Sequence, residues 1–314
     1  MPEGTTAAEA LAETIRLAQH AEQLGYHRYW VAEHHNTRSL AGTAPEVMVA
    51  AVAAATSQIR VGSGGVLLPY RSPLMVAEQF RVLHSLFPGR IDLGVGRAAG
   101  TDPATEELLR RGSIADGEEL FPQRVADVVE FLDGAPDVWV LGSSSQSSGC
   151  AAYLGLSFSF AHFISPTYGP QIVTAYRRGF VPSGGLGEPR VNVAVSAVCA
   201  DTDDEARRVA STADLWRLGP EGTARRPILP AEDVAGALTT LTPLERERLA
   251  QVRAKVIVGA PEQVRSKLTA LAHEFDVDEL IVLTVCHDPA ARRRSYELLA
   301  EAFDLAPRPL PSPP

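Results

Sequence analysis

The sequence is poor in cysteine and in long apolar stretches, and each shortage excludes a class of protein. Its three cysteines, Cys150, Cys199 and Cys286, lie far apart and form no Cys-x-x-Cys pair, which argues against a disulfide framework and a thiolate metal site. We interpret them as small buried apolar residues. No apolar run approaches the roughly 20 residues of a membrane-spanning helix, and the amino terminus lacks a signal-peptide pattern. We therefore expect a cytoplasmic protein.

A surplus of basic residues is also lacking. The chain has 38 acidic and 29 basic side chains, a net charge of −9 and a pI near 5.4. A general nucleic-acid binder presents a basic face to the phosphates, so nucleic acid is excluded as a partner. The hydrophobic share of 45% is typical of a globular chain. Its 314 residues suffice for one α/β barrel, which takes about 250 residues.

Short apolar runs alternate with amphipathic helical stretches along most of the chain. Leu11, Ile15 and Ala18 recur at helical spacing within the first predicted helix, residues 7–24. Repeated strand–helix alternation indicates a parallel sheet, either as a barrel or as an open doubly wound sheet. The pattern predicts seven strands, at residues 26–31, 59–68, 90–95, 138–141, 158–163, 192–199 and 279–286.

No break in composition divides the chain. We predict a single domain over residues 1–306, with an insertion at about 218–255 where prolines and charged residues accumulate. Residues 307–314 are proline-rich and are predicted to form a disordered tail.

The first predicted strand ends in Glu33-His34-His35, and functional groups of parallel α/β folds gather at such strand ends. Adjacent side chains of an extended segment point to opposite sides, so at most one histidine faces the barrel mouth. Trp30 stands where the His-x-x-Glu-His spacing of zinc enzymes needs a histidine, and no other zinc motif occurs. We therefore expect no metal. A histidine hydrogen-bonded within a loop is an equally good interpretation.

Glycines interrupt the second predicted strand at Gly62-Ser63-Gly64-Gly65. Glycine weakens a strand, so this run indicates either a bulge or a flat ligand that lies close to the backbone. Gly94-Val95-Gly96 lacks the third glycine of a dinucleotide fingerprint, and no acidic residue closes a following strand. A Rossmann site is therefore disfavoured.

A serine-rich loop, residues 142–149, lies directly between a predicted strand and a predicted helix. Hydroxyl groups and free backbone N–H groups at a helix amino terminus bind phosphate well, whereas a flexible loop is the simpler interpretation. Arg97, just past strand 90–95, is the candidate cation for such a phosphate.

Four segments together resemble motifs of the luciferase-like monooxygenase family, in the family's order and over nearly the full chain. They are YWVAEHHN at 29–36, VGSGGVLLP at 61–69, PGRIDLGVGRA at 88–98 and GAPEQV at 259–264. The resemblance implies a (β/α)₈ TIM barrel. The family begins with a strand upstream of the first helix, whereas this sequence begins at that helix, so the first barrel strand is expected to be missing.

The resemblance implies roles for residues near a flavin ring. His34 matches a histidine that serves as a catalytic base, and Gly64-Gly65 matches a non-prolyl cis peptide against which the ring rests. Gly96 occupies the position of the reactive cysteine of bacterial luciferases, so no thiol role is implied.

The resemblance also implies a phosphate site. Arg97, Ser144 and Ser147 match groups that bind the FMN phosphate, in agreement with the anion site inferred from the serine loop. Glu33 and Ser143 are further expected to contact the cofactor, since each follows a predicted strand end.

The implied activity is a flavin-dependent monooxygenation. Reduced FMN from a separate reductase would react with O₂ to give a C4a-peroxyflavin that oxidises a small organic molecule, with natural-product metabolism as a candidate setting. A homodimer through helices 45–56 and 73–87 is implied as well. Two alternatives stay open: a deazaflavin (F420)-dependent dehydrogenase and a non-catalytic flavin-binding protein.

Overall fold

The computed structural model describes residues 1–98, 100–111, 120–219 and 225–308, in which helices and strands alternate. The strands are β1 Arg28–Val31, β2 Arg60–Ser63, β3 Val66–Leu67, β4 Ile91–Gly96, β5 Asp137–Gly142, β6 Ser157–Ala161, β7 Val191–Cys199, β8 Val256–Gly259 and β9 Leu280–Leu283. The helices are α1 Ala7–Gln23, α2 Pro45–Ala55, α3 Pro73–Leu86, α4 Pro103–Arg111, α5 Phe121–Leu132, α6 Ser145–Tyr153, α7 Gly169–Gly179, α8 Asp203–Ser211, α9 Asp214–Leu218, α10 Ala231–Thr239, α11 Pro243–Arg253, α12 Pro261–Phe275 and α13 Pro289–Ala302.

Local sequence accounts for where several helices begin. Thr6 and Glu9 form a capping box at the start of α1, which satisfies backbone N–H groups that have no partner inside the helix. Pro45 and Pro73 occupy the first turns of α2 and α3, where the missing proline N–H costs nothing. Helices in the described residues are too short or too polar to cross a membrane.

All strand pairs of the sheet are parallel, and their order is β1-β2-β4-β5-β6-β7, with β3 beside β4 and with β8 and β9 both beside β7. The sheet curls into a half-barrel of the (β/α)₈ type, which confirms the predicted fold class. The strand path runs from β1 to β8, with β9 beside β7, and Arg28 Nε of β1 donates at 2.7 Å to Oε1 of Glu279, the residue before β9. Among the described residues before α1 there is no strand, only one bridge between Pro2 and Ile228.

The structure differs from the predicted element list in three places. The strand predicted at 59–68 is divided into β2 and β3 at Gly64 and Gly65. β8 was not predicted, because its four residues form an apolar run too short to separate from the insertion beside it. The third difference is α4, which was not predicted. The described part of the predicted insertion contains the end of α9, and then α10 and α11.

The barrel floor, at the amino ends of the strands, is a network of charges centred on Asp92. This carboxylate is fully buried and accepts from Arg28 Nη1 at 2.6 Å, from Trp30 Nε1 at 2.9 Å and from the Arg60 guanidinium. Arg60 also pairs with Asp137 on the next strand at 3.1 Å. Buried charges are tolerated only when they are paired, so these contacts fix β1, β2, β4 and β5 relative to one another.

The apolar core lies between the sheet and the surrounding helices, and includes Ile59, Phe80, Leu93, Phe158 and Leu268. The three cysteines are free and buried, as predicted. Of the tail predicted at 307–314, residues 309–314 lie outside the described residues, whereas the Arg308 N–H donates to the carbonyl of Gln23 at 3.0 Å.

Candidate functional site

The predicted site residues lie at one end of the half-barrel. Glu33 comes two residues after β1, Gly65 lies between β2 and β3, Arg97 directly follows β4 and Ser143 directly follows β5. Because these strands are parallel neighbours, their carboxyl ends share one edge of the sheet. The prediction that the four loops converge at this edge is confirmed.

His34 lies in the loop after β1 and faces the loop after β4. Its backbone N–H donates to the carbonyl of Gly42 at 3.1 Å, which folds residues 34–42 back on themselves. Gly100 has a φ of +55° and no side chain, and a Cβ there would lie 3.4 Å from Cε1 and 3.5 Å from Nδ1 of His34. The imidazole therefore occupies the space that the glycine leaves beside it.

The Glu33 side chain is turned into the protein, where its carboxylate is fully buried. Oε1 accepts from His35 Nε2 at 2.6 Å and from Arg71 Nη2 at 2.7 Å, and Oε2 accepts from the backbone N–H of Leu67 at 2.9 Å. Both oxygens are thus taken by protein donors. The prediction that Glu33 contacts the cofactor stays a prediction, and the described contacts of its carboxylate are all with protein groups.

The alternation of side chains explains why the Glu33 side chain is turned into the protein. Residues two apart in an extended segment share a side, so Glu33 and His35 go together, and His34 points the other way. The prediction that at most one of the two histidines faces the mouth is compatible with this arrangement. His35, however, is part of a buried ion pair, so it is no neutral control for experiments on His34.

The pKa of Glu33 lies below its ordinary value. Burial by itself raises the pKa, but the hydrogen bonds from His35 and from the Leu67 N–H, together with the charge of Arg71, outweigh burial. The group is therefore a carboxylate at neutral pH. Arg71 also donates through Nη1 to Glu46 Oε1 at 3.1 Å, which links the site to the start of α2.

The glycine run between β2 and β3 contains the non-prolyl cis peptide Gly64-Gly65, as the resemblance implied. A Cβ at Gly65 would lie 2.8 Å from the carbonyl oxygen of Gly94, and one at Gly62 would lie 2.4 Å from that of Asp92. Close approach of β4 therefore requires these two glycines. A Cβ at Gly64 would meet the Trp30 side chain at 3.1 Å, so the cis peptide lies against this tryptophan.

The serine loop and Arg97 meet at the amino terminus of α6. Arg97 Nη1 donates to Gln146 Oε1 at 2.5 Å, in the first turn of that helix. Ser144 is the N-cap residue, and its hydroxyl accepts from the backbone N–H of Ser147 at 3.3 Å. Ser143 is half-buried at the junction of β5 and the loop. The serines are therefore ordered at a helix start and do not form a flexible loop.

These groups fit a phosphate monoester and a flat ring. A guanidinium, serine hydroxyls and helix N–H groups are the donors that phosphate prefers. Gly96 lies next to Arg97, and a Cβ there would meet no atom of the described residues within 4 Å. The spacing from Gly64-Gly65 across β3 and β4 to Arg97 thus offers a ring seat and an anion site on neighbouring strands.

Sequence reasoning missed Arg71 and Gln146. Arg71 lies 38 residues from Glu33 and follows a short 3-10 turn, Leu68–Tyr70. A glutamate predicted to be buried needs a cationic partner, but the sequence does not say which arginine supplies it. Gln146 stands within the serine loop and could have been noted as its longest polar side chain.

The sequence pattern of the luciferase-like monooxygenase family matches residues 1–133 and 104–279. A Bacillus subtilis (strain 168) protein, YwcH, is 41% identical over 320 residues, with 96% of each chain covered. N-acetyl-S-alkylcysteine monooxygenase of the same organism is 33% identical over 328 residues, covering 98% of this chain and 96% of its own. The crystal structure of apo-MsnO8 is 40% identical with a TM-score of 0.89, covering 98% of this chain and 97% of its own.

More distant solved structures share the fold with two kinds of cofactor. The oxygenating constituent of 3,6-diketocamphane monooxygenase, from a Pseudomonas putida plasmid and in complex with FMN, is 18% identical with a TM-score of 0.69, covering 96% of this chain and 95% of its own. An F420-dependent secondary alcohol dehydrogenase is 12% identical with a TM-score of 0.66, covering 93% of this chain and 94% of its own. At such identities the likeness concerns the fold alone.

The Glu33→Gln substitution is expected to lower the free energy of unfolding more at neutral pH than in acid. The folded protein lowers the pKa of Glu33 below an unfolded value of about 4.3. Its contribution is therefore present above that pH and is lost as the pH falls through the folded pKa. Breaking a buried ion pair costs about 3–5 kcal/mol. The urea midpoint of Glu33→Gln should lie well below that of the unsubstituted protein at about pH 7, and the difference should shrink as the pH falls through the folded-state pKa of Glu33.

Glu107→Gln is the control for this titration, because Glu107 is 58% exposed and pairs only with Arg111 among the contacts described. Its midpoint should follow that of the unsubstituted protein at every pH. A difference for Glu33→Gln that is as large in acid as at neutral pH would contradict the assignment of a charged carboxylate.

Proposed function

This chain belongs to the luciferase-like monooxygenase family, and from that premise we propose that it is an FMN-dependent monooxygenase of a small organic molecule. One observation carries the proposal. His34, the Gly64-Gly65 turn and the Arg97–α6 anion site lie at the carboxyl ends of neighbouring parallel strands. That arrangement supplies a proton-transfer group, a ring seat and a phosphate site in one place.

In this proposal the FMN phosphate is held by Arg97, Ser144 and Ser147 at the start of α6, with Ser143 beside them. The flavin ring rests on the Gly64-Gly65 turn, and Trp30 supports the turn from below. The donor set favours FMN because its phosphate is a terminal dianion, which suits a cation combined with a helix amino terminus.

When bound and reduced, the flavin supplies the activation of O₂ for transfer of one oxygen atom to the substrate. His34 handles a proton at the ring edge, since imidazole changes its protonation state near neutral pH. The hydrogen bond from the His34 N–H to the Gly42 carbonyl and the close approach of Gly100 to the imidazole would hold His34 in place for this role.

The partners follow from this chemistry. A separate flavin reductase would supply reduced FMN, in keeping with the FMN-bound neighbour that is described as the oxygenating constituent of its monooxygenase. Candidate substrates are small organic molecules, and N-acetyl-S-alkylcysteines are a first panel because of the relative that is named for them. Natural-product intermediates form the second panel.

The test of the proposal is turnover with FMN, NADH, a flavin reductase and O₂. Monooxygenation requires oxygen uptake coupled to oxidised product. A deazaflavin dehydrogenase would instead reduce F420 without oxygen and ignore FMN. A protein that binds flavin but gives no product with either panel would favour the non-catalytic alternative.

Arg97→Ala is expected to weaken FMN binding about tenfold to a hundredfold. A charge-assisted hydrogen bond to phosphate contributes about 1.5–3 kcal/mol. Fluorescence titration with FMN measures the change. Arg16→Ala is the matched control, because Arg16 is an exposed arginine on the outer helix α1. Equal affinities for the Arg97→Ala variant and the unsubstituted protein would remove Arg97 from the phosphate site.

His34→Ala should lower turnover about 10²–10⁴-fold, the usual cost of losing a general acid or base. Folding should change little, because His34 belongs to a loop rather than to the core. Stopped-flow spectroscopy with reduced flavin locates the affected step. His27→Ala serves as the control, since His27 is exposed at the opposite end of β1. Normal turnover of His34→Ala would mean that another group moves the proton.

We also propose a homodimer through α2 and α3. Met75, Val82 and Leu86 are 58%, 59% and 64% exposed and recur at helical spacing on one face of α3, and Val47 of α2 is 62% exposed. Sedimentation should therefore give the mass of two chains, and Val82→Glu should yield monomers. Leu244→Glu is the control, because Leu244 is equally exposed on α11. A monomeric unsubstituted protein at micromolar concentration would contradict the proposal.

A further inference from the structure

One buried carboxylate joins the two loops to which the proposed function assigns different tasks. Glu33 is held by His35, the immediate neighbour of His34, at 2.6 Å. Its other oxygen is held by the N–H of Leu67 at 2.9 Å, three residues after Gly64. The carboxylate therefore fixes the segment that carries the histidine to the turn that carries the cis peptide.

The same contact extends to the anion site through the sheet. Leu67 pairs with Gly96 in the β3–β4 register, and Gly96 precedes Arg97. A shift of Leu67 is thus transmitted to the backbone next to the cation, while the hydrogen bonds of β4 to β5 resist it. The histidine loop has no comparable strand pairing, because the sheet contacts of β1 end at Val31.

The carboxylate is itself anchored from outside the barrel. Arg71 donates to Glu33 through Nη2 and to Glu46 at the start of α2 through Nη1. The carbonyl oxygen of Arg71 accepts from Arg124 Nη1 of α5 at 3.1 Å. Two outer helices therefore hold the arginine in place, and the arginine holds the carboxylate.

We propose that Glu33 is a positioning residue that sets the distance between the His34 imidazole and the Gly64-Gly65 turn. This inference rests on the proposed function, in which His34 moves a proton at a ring seated on that turn. A displacement of about 1 Å between a catalytic group and its target can lower a rate about a hundredfold. Of the two segments, only the turn is flanked on both sides by paired strands, so loss of the carboxylate should move the histidine more than the ring seat.

Glutamine at this position has the right size and the wrong donor pattern. Its carbonyl oxygen can still accept from Arg71 or His35, but its NH₂ group then faces the Leu67 N–H, donor against donor. Glu33→Gln should therefore lower kcat about 10- to 100-fold while FMN affinity changes less than about threefold. Arg97→Ala should instead weaken FMN binding strongly and change kcat little.

A double-mutant cycle with His34→Gln tests whether Glu33 acts through His34. If it does, Glu33→Gln should lower kcat less than about twofold once His34 has been replaced, because a residue that acts through another has no further effect without it. Losses that multiply in the double variant would overturn the inference. Normal turnover of His34→Gln alone would instead refute the proposed role of His34, so the two failures are distinguishable.

A second measurement needs no turnover. In the flavin-free protein, the side-chain ¹⁵N resonances of His34 should shift on Glu33→Gln and remain unchanged on Glu46→Gln, the matched loss of the other carboxylate of Arg71. Equal shifts in both variants would mean that only the anchoring of Arg71 matters, and would overturn the inference. If Glu33→Gln does not fold, Glu33→Asp provides the same comparison, because aspartate keeps the charge but is one methylene too short to keep the contacts with both His35 and the Leu67 N–H.

Discussion

Three donors from two neighbouring strands converge on the carboxylate of Asp92, and the relative position of β1, β2 and β4 depends on that convergence. Arg28 and Trp30 reach it from β1 and Arg60 reaches it from β2. A carboxylate without exposure to water is stable only when donors replace the lost hydration. The edge strand β1 is therefore fixed to β4 across β2 by charge as well as by backbone hydrogen bonds, and the loops at its other end start from a fixed base.

Glu33 at the carboxyl ends of the strands and Asp92 at their amino ends have similar structural roles. Both are buried, both accept from an arginine, and both hold β1 to the strands that follow. The difference lies in what they hold. Asp92 joins strand to strand, whereas Glu33 joins loop to strand end, so only the second sets the relative position of groups that face the mouth.

The sequence contains enough information to place the loops but not to choose among their side chains. Strand–helix alternation predicts a parallel sheet, and a parallel sheet gathers Glu33, Gly65, Arg97 and Ser143 at one edge whatever their partners are. The partner of Glu33 could not be predicted, because Arg71 is 38 residues away and lies beyond β2 and β3 in the chain. β8 was not predicted for a similar reason, because the short segment Val256–Gly259 is defined as a strand by its pairing with the second half of β7.

One backbone N–H group in the first turn of α6 already has an acceptor. The Ser144 hydroxyl takes the Ser147 N–H, which is the kind of donor that a phosphate at this helix start would need. In the proposed function, a phosphate that binds at this helix start therefore replaces the Ser144 hydroxyl as the acceptor of the Ser147 N–H. The free energy gained at this N–H is the difference between two hydrogen bonds rather than the whole of one. Such a site favours a carrier molecule that arrives and departs in each cycle over a permanently resident one.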